Sequence, residues 1–218
     1  MAKTKYEFHF SGKEVRDIAL ASVALAFSFQ LILFREEIFI QGLYSNVVAM
    51  LNFFLQSLII VGLAFVLHEL GHKYVAQKKG LWAEFRAWPA GLGLAVVIAL
   101  ISRGGFVFAA PGAVMIAPSK KSRENPFLVT LKKEDVGQIG IIGAVINIIL
   151  GLIFIALAMI MPIKIFAVGA QVNAWLAIFN LIPFNPLDGA KVMFWSKWIW
   201  LGTFLFSILI FALTIILI

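Results

Sequence analysis

From residue 136 to residue 161 the chain carries no charged side chain. As a helix rising 1.5 Å per residue, such a run is long enough to cross the roughly 30 Å hydrocarbon core of a bilayer. Inside lipid every backbone N–H and C=O must be satisfied within the protein, so the spanning structures are helices and closed barrels. Further apolar stretches cover about 17–34, about 47 onward into "VLHELGH", about 165–187, and much of 190–218. Composition agrees, with 62% hydrophobic residues, 13% charged and mean hydropathy +0.99, against about 45–50% and about 25% in soluble domains. The expected fold class is an all-α polytopic membrane protein of about five to six transmembrane helices.

Short segments with another period interrupt these runs. "TKYEFHF" (4–10) alternates Tyr6, Phe8 and Phe10 with Lys5, Glu7 and His9, and "LWAEFRAW" (81–88) alternates again; period two marks a strand. "SGKE" (11–14) fits a capping box that opens the first helix. "GLGLAVVIALIS" (91–102) is apolar but short for a crossing. "GGFVFAAPGAVMIAP" (104–118) reads as two β runs joined at the turn pair Pro111–Gly112. The expectation is a small β-sheet or re-entrant β-hairpin over about 81–118, near the cytoplasmic face. It lies within a single domain, 1–218, whose core is about 45–190, with no appended soluble domain. The N-terminal "MAKTKYEFHFSGKE" mixes both charge signs and lacks a cleavage-site pattern, so it does not read as a signal peptide.

Three ionisable residues sit where a span should carry almost none: His68, Glu69 and His72 of "HELGH". Each residue of this kind at membrane depth costs about 2.5–3.5 kcal/mol on insertion scales. Histidines at i and i+4 share one helical face and can address one cation. Glu69, beside the first, can take a proton from a coordinated water without being a ligand. A bland alternative is that all three anchor the helix at the water interface. With no cysteine in the chain, thiolate ligands and disulfides are excluded. The remaining histidine, His9, lies in the N-terminal strand pattern, so a third ligand should be a carboxylate. Asp188 is the acidic residue set in an otherwise apolar region, "NLIPFNPLDG" (180–189). Prolines 183 and 186 break a helix there, and alone the segment also reads as an ordinary turn.

HELGH late in a span, followed far downstream by an Asn-x-x-Pro…Leu-Asp-Gly segment, resembles the site-2 protease family of intramembrane zinc metalloproteases. The resemblance covers about 45–190. It implies one Zn²⁺ per chain held by His68, His72 and Asp188, with Glu69 as catalytic base. "GAVIN" (143–147) matches the family's Gly-Pro-x-x-Asn at Gly143 and Asn147, with Ala144 in place of proline. Asn147 and Asn180 become candidate substrate-binding residues. For Asn147 an interhelical hydrogen bond is an equal alternative.

Topology supplies a separate test. The two motifs sit at the C-terminal ends of their spans, so those spans must run in the same direction with one crossing between them. The run at 136–161 is that crossing, and residues 89–118 must then enter and leave on one side. Between 73 and 135 ten basic residues face four acidic ones, which puts this region, and the site, toward the cytoplasm. The net charge of +7 thus reads as topology and not as a nucleic-acid footprint. The functional expectation is cleavage of membrane-spanning protein substrates by a multi-pass enzyme of the cell membrane. A divalent metal-ion transporter is the alternative, although transport favours ligands spread along a path and internal repeats, and neither is present in the sequence.

Overall fold

The computed structural model describes residues 8–107, 111–117 and 131–217. In chain order these form α1 (Gly12–Leu33), α2 (Val47–Lys78), β1 (Trp82–Ala87), α3 (Pro89–Ile101), β2 (Gly112–Ala117), α4 (Lys133–Ile160), α5 (Lys164–Asn180), α6 (Asp188–Trp195) and α7 (Lys197–Leu217). A π-helical turn (Glu36–Ile40) and a 3-10 turn (Leu43–Ser45) link α1 to α2. Four helices, α1, α2, α4 and α7, are long and apolar enough to cross a membrane. The fifth expected span, α5, has 17 residues and reaches about 26 Å. It ends at Asn180, seven residues before the end of its apolar run, because Pro183 and Pro186 prevent the helix from continuing. One carbonyl released there, that of Leu181, accepts a 2.7 Å hydrogen bond from the Trp200 indole N–H.

Helix directions follow from side-chain neighbours. On α2 and α4, His72 meets Ile139 while His68 and Ala64 meet Asn147, so the two run antiparallel. On α4 and α5, Asn147 meets Asn173 and Phe154 meets Gly169, again antiparallel. Helices α2 and α5 are therefore parallel, with one crossing between them, as the position of the two motifs required.

The β segment differs from the expected hairpin. β2 pairs antiparallel with β1, from Trp82 opposite Ala117 to Ala87 opposite Gly112. Residues 104–107 form no strand, and 108–110 lie outside the described residues. The apolar segment that is short for a crossing is helical through Ile101: Pro89 stands at the first position of α3, where its missing N–H costs nothing. Gly112 is tightly held against Arg86 O and the Phe85 ring, where a β-carbon would overlap both. The pairing brings the two ends of the stretch 89–111 together, with Trp88 N–H donating to Pro111 O at 2.8 Å. Its far tip, however, lies at the opposite end of the bundle: Arg35 Nε donates to Arg103 O at 3.0 Å. Arg103 thus lies apart from Lys73, Lys78, Lys79 and Arg86, a consequence of a helix running to the far end of α1. The strand pattern at 4–10 lies partly outside the described residues, and Phe8, His9 and Phe10 are not in a strand.

The capping box at the start of α1 is half formed. Ser11 Oγ accepts from Glu14 N–H at 3.1 Å, but the Glu14 carboxylate turns away from its own helix. Its Oε1 accepts from Phe85 N–H of β1 at 3.0 Å, and its Oε2 accepts from Lys73 Nζ of α2 at 2.5 Å. Both side chains are buried. Lys73 also donates to His9 O at 2.8 Å and stands over the Phe10 ring. One ion pair therefore ties α1, β1 and the segment before α1 to the helix that carries HELGH.

Candidate metal centre

His68 and His72 stand one helical turn apart on the buried face of α2, and Asp188 arrives as the first residue of α6. His72 Nε2 lies 2.9 Å and His68 Nε2 3.3 Å from Asp188 Oδ2, and the two Nε2 atoms are 3.0 Å apart. The three residues are 4–6% exposed, and among the described residues they form the one group of this kind able to hold a metal ion. Two glycines permit the convergence. A β-carbon on Gly143 of α4 would sit 2.5 Å from His68 Nε2 and 2.6 Å from His72 Nε2. One on Gly189 would overlap the Leu181 and Ile182 carbonyls, against which the start of α6 is folded. These contacts explain the glycines of "GAVIN" and "LDG" sterically.

The hydrogen-bond network sets the imidazole tautomers. His72 Nδ1 lies 2.6 Å from Ile139 O. A carbonyl only accepts, so Nδ1 carries the proton and Nε2 presents its lone pair. His68 follows by a longer chain. Asn173 Nδ2 donates to Gly169 O at 2.9 Å, which turns Asn173 Oδ1 toward Asn147 Nδ2 at 3.0 Å. Asn147 Nδ2 also donates to Ala64 O at 3.3 Å, so Asn147 Oδ1 faces His68 Nδ1 at 2.6 Å and accepts its proton. Both Nε2 atoms and Asp188 Oδ2 then direct lone pairs at one point with no proton between them. Three converging acceptors repel one another unless a cation joins them. Two imidazole nitrogens and one carboxylate oxygen match the ligand types of Zn²⁺, so this residue set fits a metal.

Glu69 lies beside the three, buried, and its Oε2 has no hydrogen-bond partner among the described residues. A buried, unsatisfied carboxylate oxygen costs free energy unless something joins it. Lys191, one turn after Asp188, donates to Asp188 Oδ1 at 2.7 Å and leaves Oδ2 to the histidines. The cavity over the site is bordered by Phe65, Asn180, Lys191 and the strand residues Gly112–Val114. Asn180 lines it, with Nδ2 bonded back to Leu176 O at 3.0 Å. Asn147 is fully buried behind His68, with both amide hydrogens spent on Ala64 and Asn173.

Sequence reasoning passed over Asn173, Ile139 O and the Lys191–Asp188 contact. Asn173 alone had a readable signal, since an amide within an uncharged span needs a polar partner. An Asn147→Leu change is expected to lower metal affinity about 10–100-fold, the usual effect of losing an outer partner of a ligating histidine. Metal titration followed by calorimetry checks it, and unchanged affinity would remove Asn147 from the site.

Comparison with known proteins places the chain. It is 36% identical over 200 residues, covering 88% of this chain and 90% of the relative, to a protein of Methanocaldococcus jannaschii named "Putative zinc metalloprotease MJ0611". It is 29% identical over 140 residues to "Zinc metalloprotease MJ0392" of the same organism, covering 62% of this chain and 32% of that longer protein. No family model matches the chain, and no solved structure gives a significant match. With that identity over nearly the full length of both chains, the protein belongs to the zinc metalloprotease family of these relatives, a site-2 protease-like family.

Proposed function

We propose that the chain is an intramembrane metalloendopeptidase with one zinc ion per chain, cutting membrane-spanning protein substrates near the cytoplasmic face. The observation that carries the reading is the convergence of three lone pairs, from His68, His72 and Asp188, beside the unpartnered Glu69 Oε2. Zinc held there supplies a Lewis acid that acidifies water to a pKa of about 7 and polarises a carbonyl.

The chain's own residues do the rest. Glu69 takes the proton of the attacking water at Oε2 and returns it to the leaving amine nitrogen as the peptide C–N bond breaks. Asn147 holds His68 in the tautomer that presents Nε2, and Ile139 O does the same for His72. Lys191 holds Asp188 through Oδ1. Asn180, on the cavity wall, is placed to meet the substrate backbone.

A helical substrate hides its carbonyls in i→i+4 bonds, so cleavage needs a locally extended segment. β1 occupies one edge of β2. The other edge, along the cavity wall, offers main-chain partners to such a segment. The depth of the site in α2, six and ten residues before the helix end at Lys78, is about 9–15 Å from that end. That is within reach of water from the side that the basic residues mark as cytoplasmic.

The test uses the purified chain reconstituted in liposomes with zinc and a single-span substrate, with mass mapping of the products. Scission within or at the edge of the apolar segment is expected, without metal flux. Metal uptake with no scission would replace the protease by a transporter.

A further inference from the structure

Away from the metal centre, a groove of about 870 Å³ lies between α1, α3 and β1, with Phe54 of α2 in its lining. Its wall on α1 runs from Lys13 through Leu20 and Val23 to Phe27. These positions recur at helical spacing, and the stripe is about 21 Å long. Across from it stand Leu92 and Val96 of α3. At the end nearer the start of α1 the lining changes character, to Lys13, Arg16 and Arg86, with Asp17 the one acid among them.

We propose that this groove binds an anionic glycerophospholipid, its phosphate at Lys13, Arg16 and Arg86 and one acyl chain along α1. The apolar stripe lies on a helix long enough to cross a membrane, with Leu20 and Val23 about half exposed, so hydrocarbon is its natural solvent. An apolar cavity is not a good place for water. A single hydrocarbon chain is far thinner than a helix, which is about 10–12 Å across with its side chains.

The charges favour an acidic headgroup. Asp17 engages Arg16 at 2.9 Å, and Glu84, behind the rim, engages Arg86 at 2.6 Å. These pairs leave Lys13 without an ion pair among the described residues. Arg86 Nε is buried with no hydrogen-bond acceptor among them. The Arg86 side chain as a whole stays 14% exposed at the rim, and phosphate is the anion whose geometry a guanidinium matches. The site is separate from the metal centre and does not rest on the proposed catalysis.

Native mass spectrometry of the full chain, released from micelles of equimolar phosphatidylglycerol and phosphatidylcholine, tests the proposal. Wild type should retain one lipid per chain, with the anionic lipid favoured about tenfold. Lys13→Gln with Arg16→Gln, both exposed positions, should reduce that preference below about twofold. Val23→Trp, which leaves the rim intact and fills the groove, should lose both lipids. An unchanged preference in the rim variant overturns the proposal, as does undiminished lipid in Val23→Trp. A photoreactive side chain at position 23 should tag lipid. If it tags a co-reconstituted membrane-spanning protein instead, the groove is a substrate path and the lipid assignment falls.

Discussion

Glu69→Gln is expected to leave the metal content unchanged and to slow peptide hydrolysis about 10²–10⁴-fold, the range for losing a positioned general base. The distinction between ligand and base is geometric. The donor atoms of His68, His72 and Asp188 lie within 4.8 Å of one another, whereas Glu69 Oε2 is left without a partner. Glutamine keeps the size and the carbonyl oxygen of the side chain but cannot accept the proton. Asp188→Asn is the contrasting variant, because it removes the anionic member of the proposed ligand set, and both metal and activity should be lost together. Zinc per chain and cleavage of a single-span substrate, measured side by side on wild type and the two variants, settle the roles. Loss of zinc from Glu69→Gln would make Glu69 a ligand, and full activity in that variant would leave the reaction without its base.

Lys73→Met is expected to destabilise the protein by about 3–5 kcal/mol, the usual cost of stranding one partner of a buried ion pair. Lys73 and Glu14 are each 1% exposed and 2.5 Å apart. Removing the ammonium leaves a carboxylate with no counter-charge, and frees the His9 carbonyl that Lys73 also holds. The double variant Glu14→Gln with Lys73→Met should recover most of the loss, since the neutral amide oxygen still accepts Phe85 N–H and no charge remains buried. Unfolding in detergent, followed by denaturant titration, reads both. If Lys73→Met behaves like a change at an exposed lysine, the pair does not tie the elements together. A local consequence is also expected: Glu14, which holds β1 through Phe85 N–H, loses its tie to α2, and β2, which pairs with β1 and borders the metal cavity, should exchange its amide protons faster.

Much of this protein was legible before folding because the bilayer is a demanding solvent. An apolar run of sufficient length has few alternatives to a helix, so α2 and α4 were located to within about three residues. Charged groups at depth need a shared reason, which singled out HELGH and Asp188. The requirement that two motifs meet then dictated a single crossing between parallel helices, and the pairing of Asp188 with His68 and His72 satisfies it.

Tertiary structure decided the rest. Period two in 81–88 announced a strand, but its partner, residues 112–117, comes after a helix of 13 residues. Nothing local to either segment specifies that partner, since pairing depends on the whole path between them. The Ser11–Glu14 spacing read as a local cap, yet the Glu14 carboxylate serves Lys73 and Phe85, because a buried ammonium is a stronger claim on a carboxylate than an exposed helix end. The tautomers of His68 and His72 depend on Gly169, Asn173, Asn147 and Ile139, atoms on two other helices. Residue types and spacing determined which side chains were available for a metal, and packing alone determined which nitrogen of each histidine points at it.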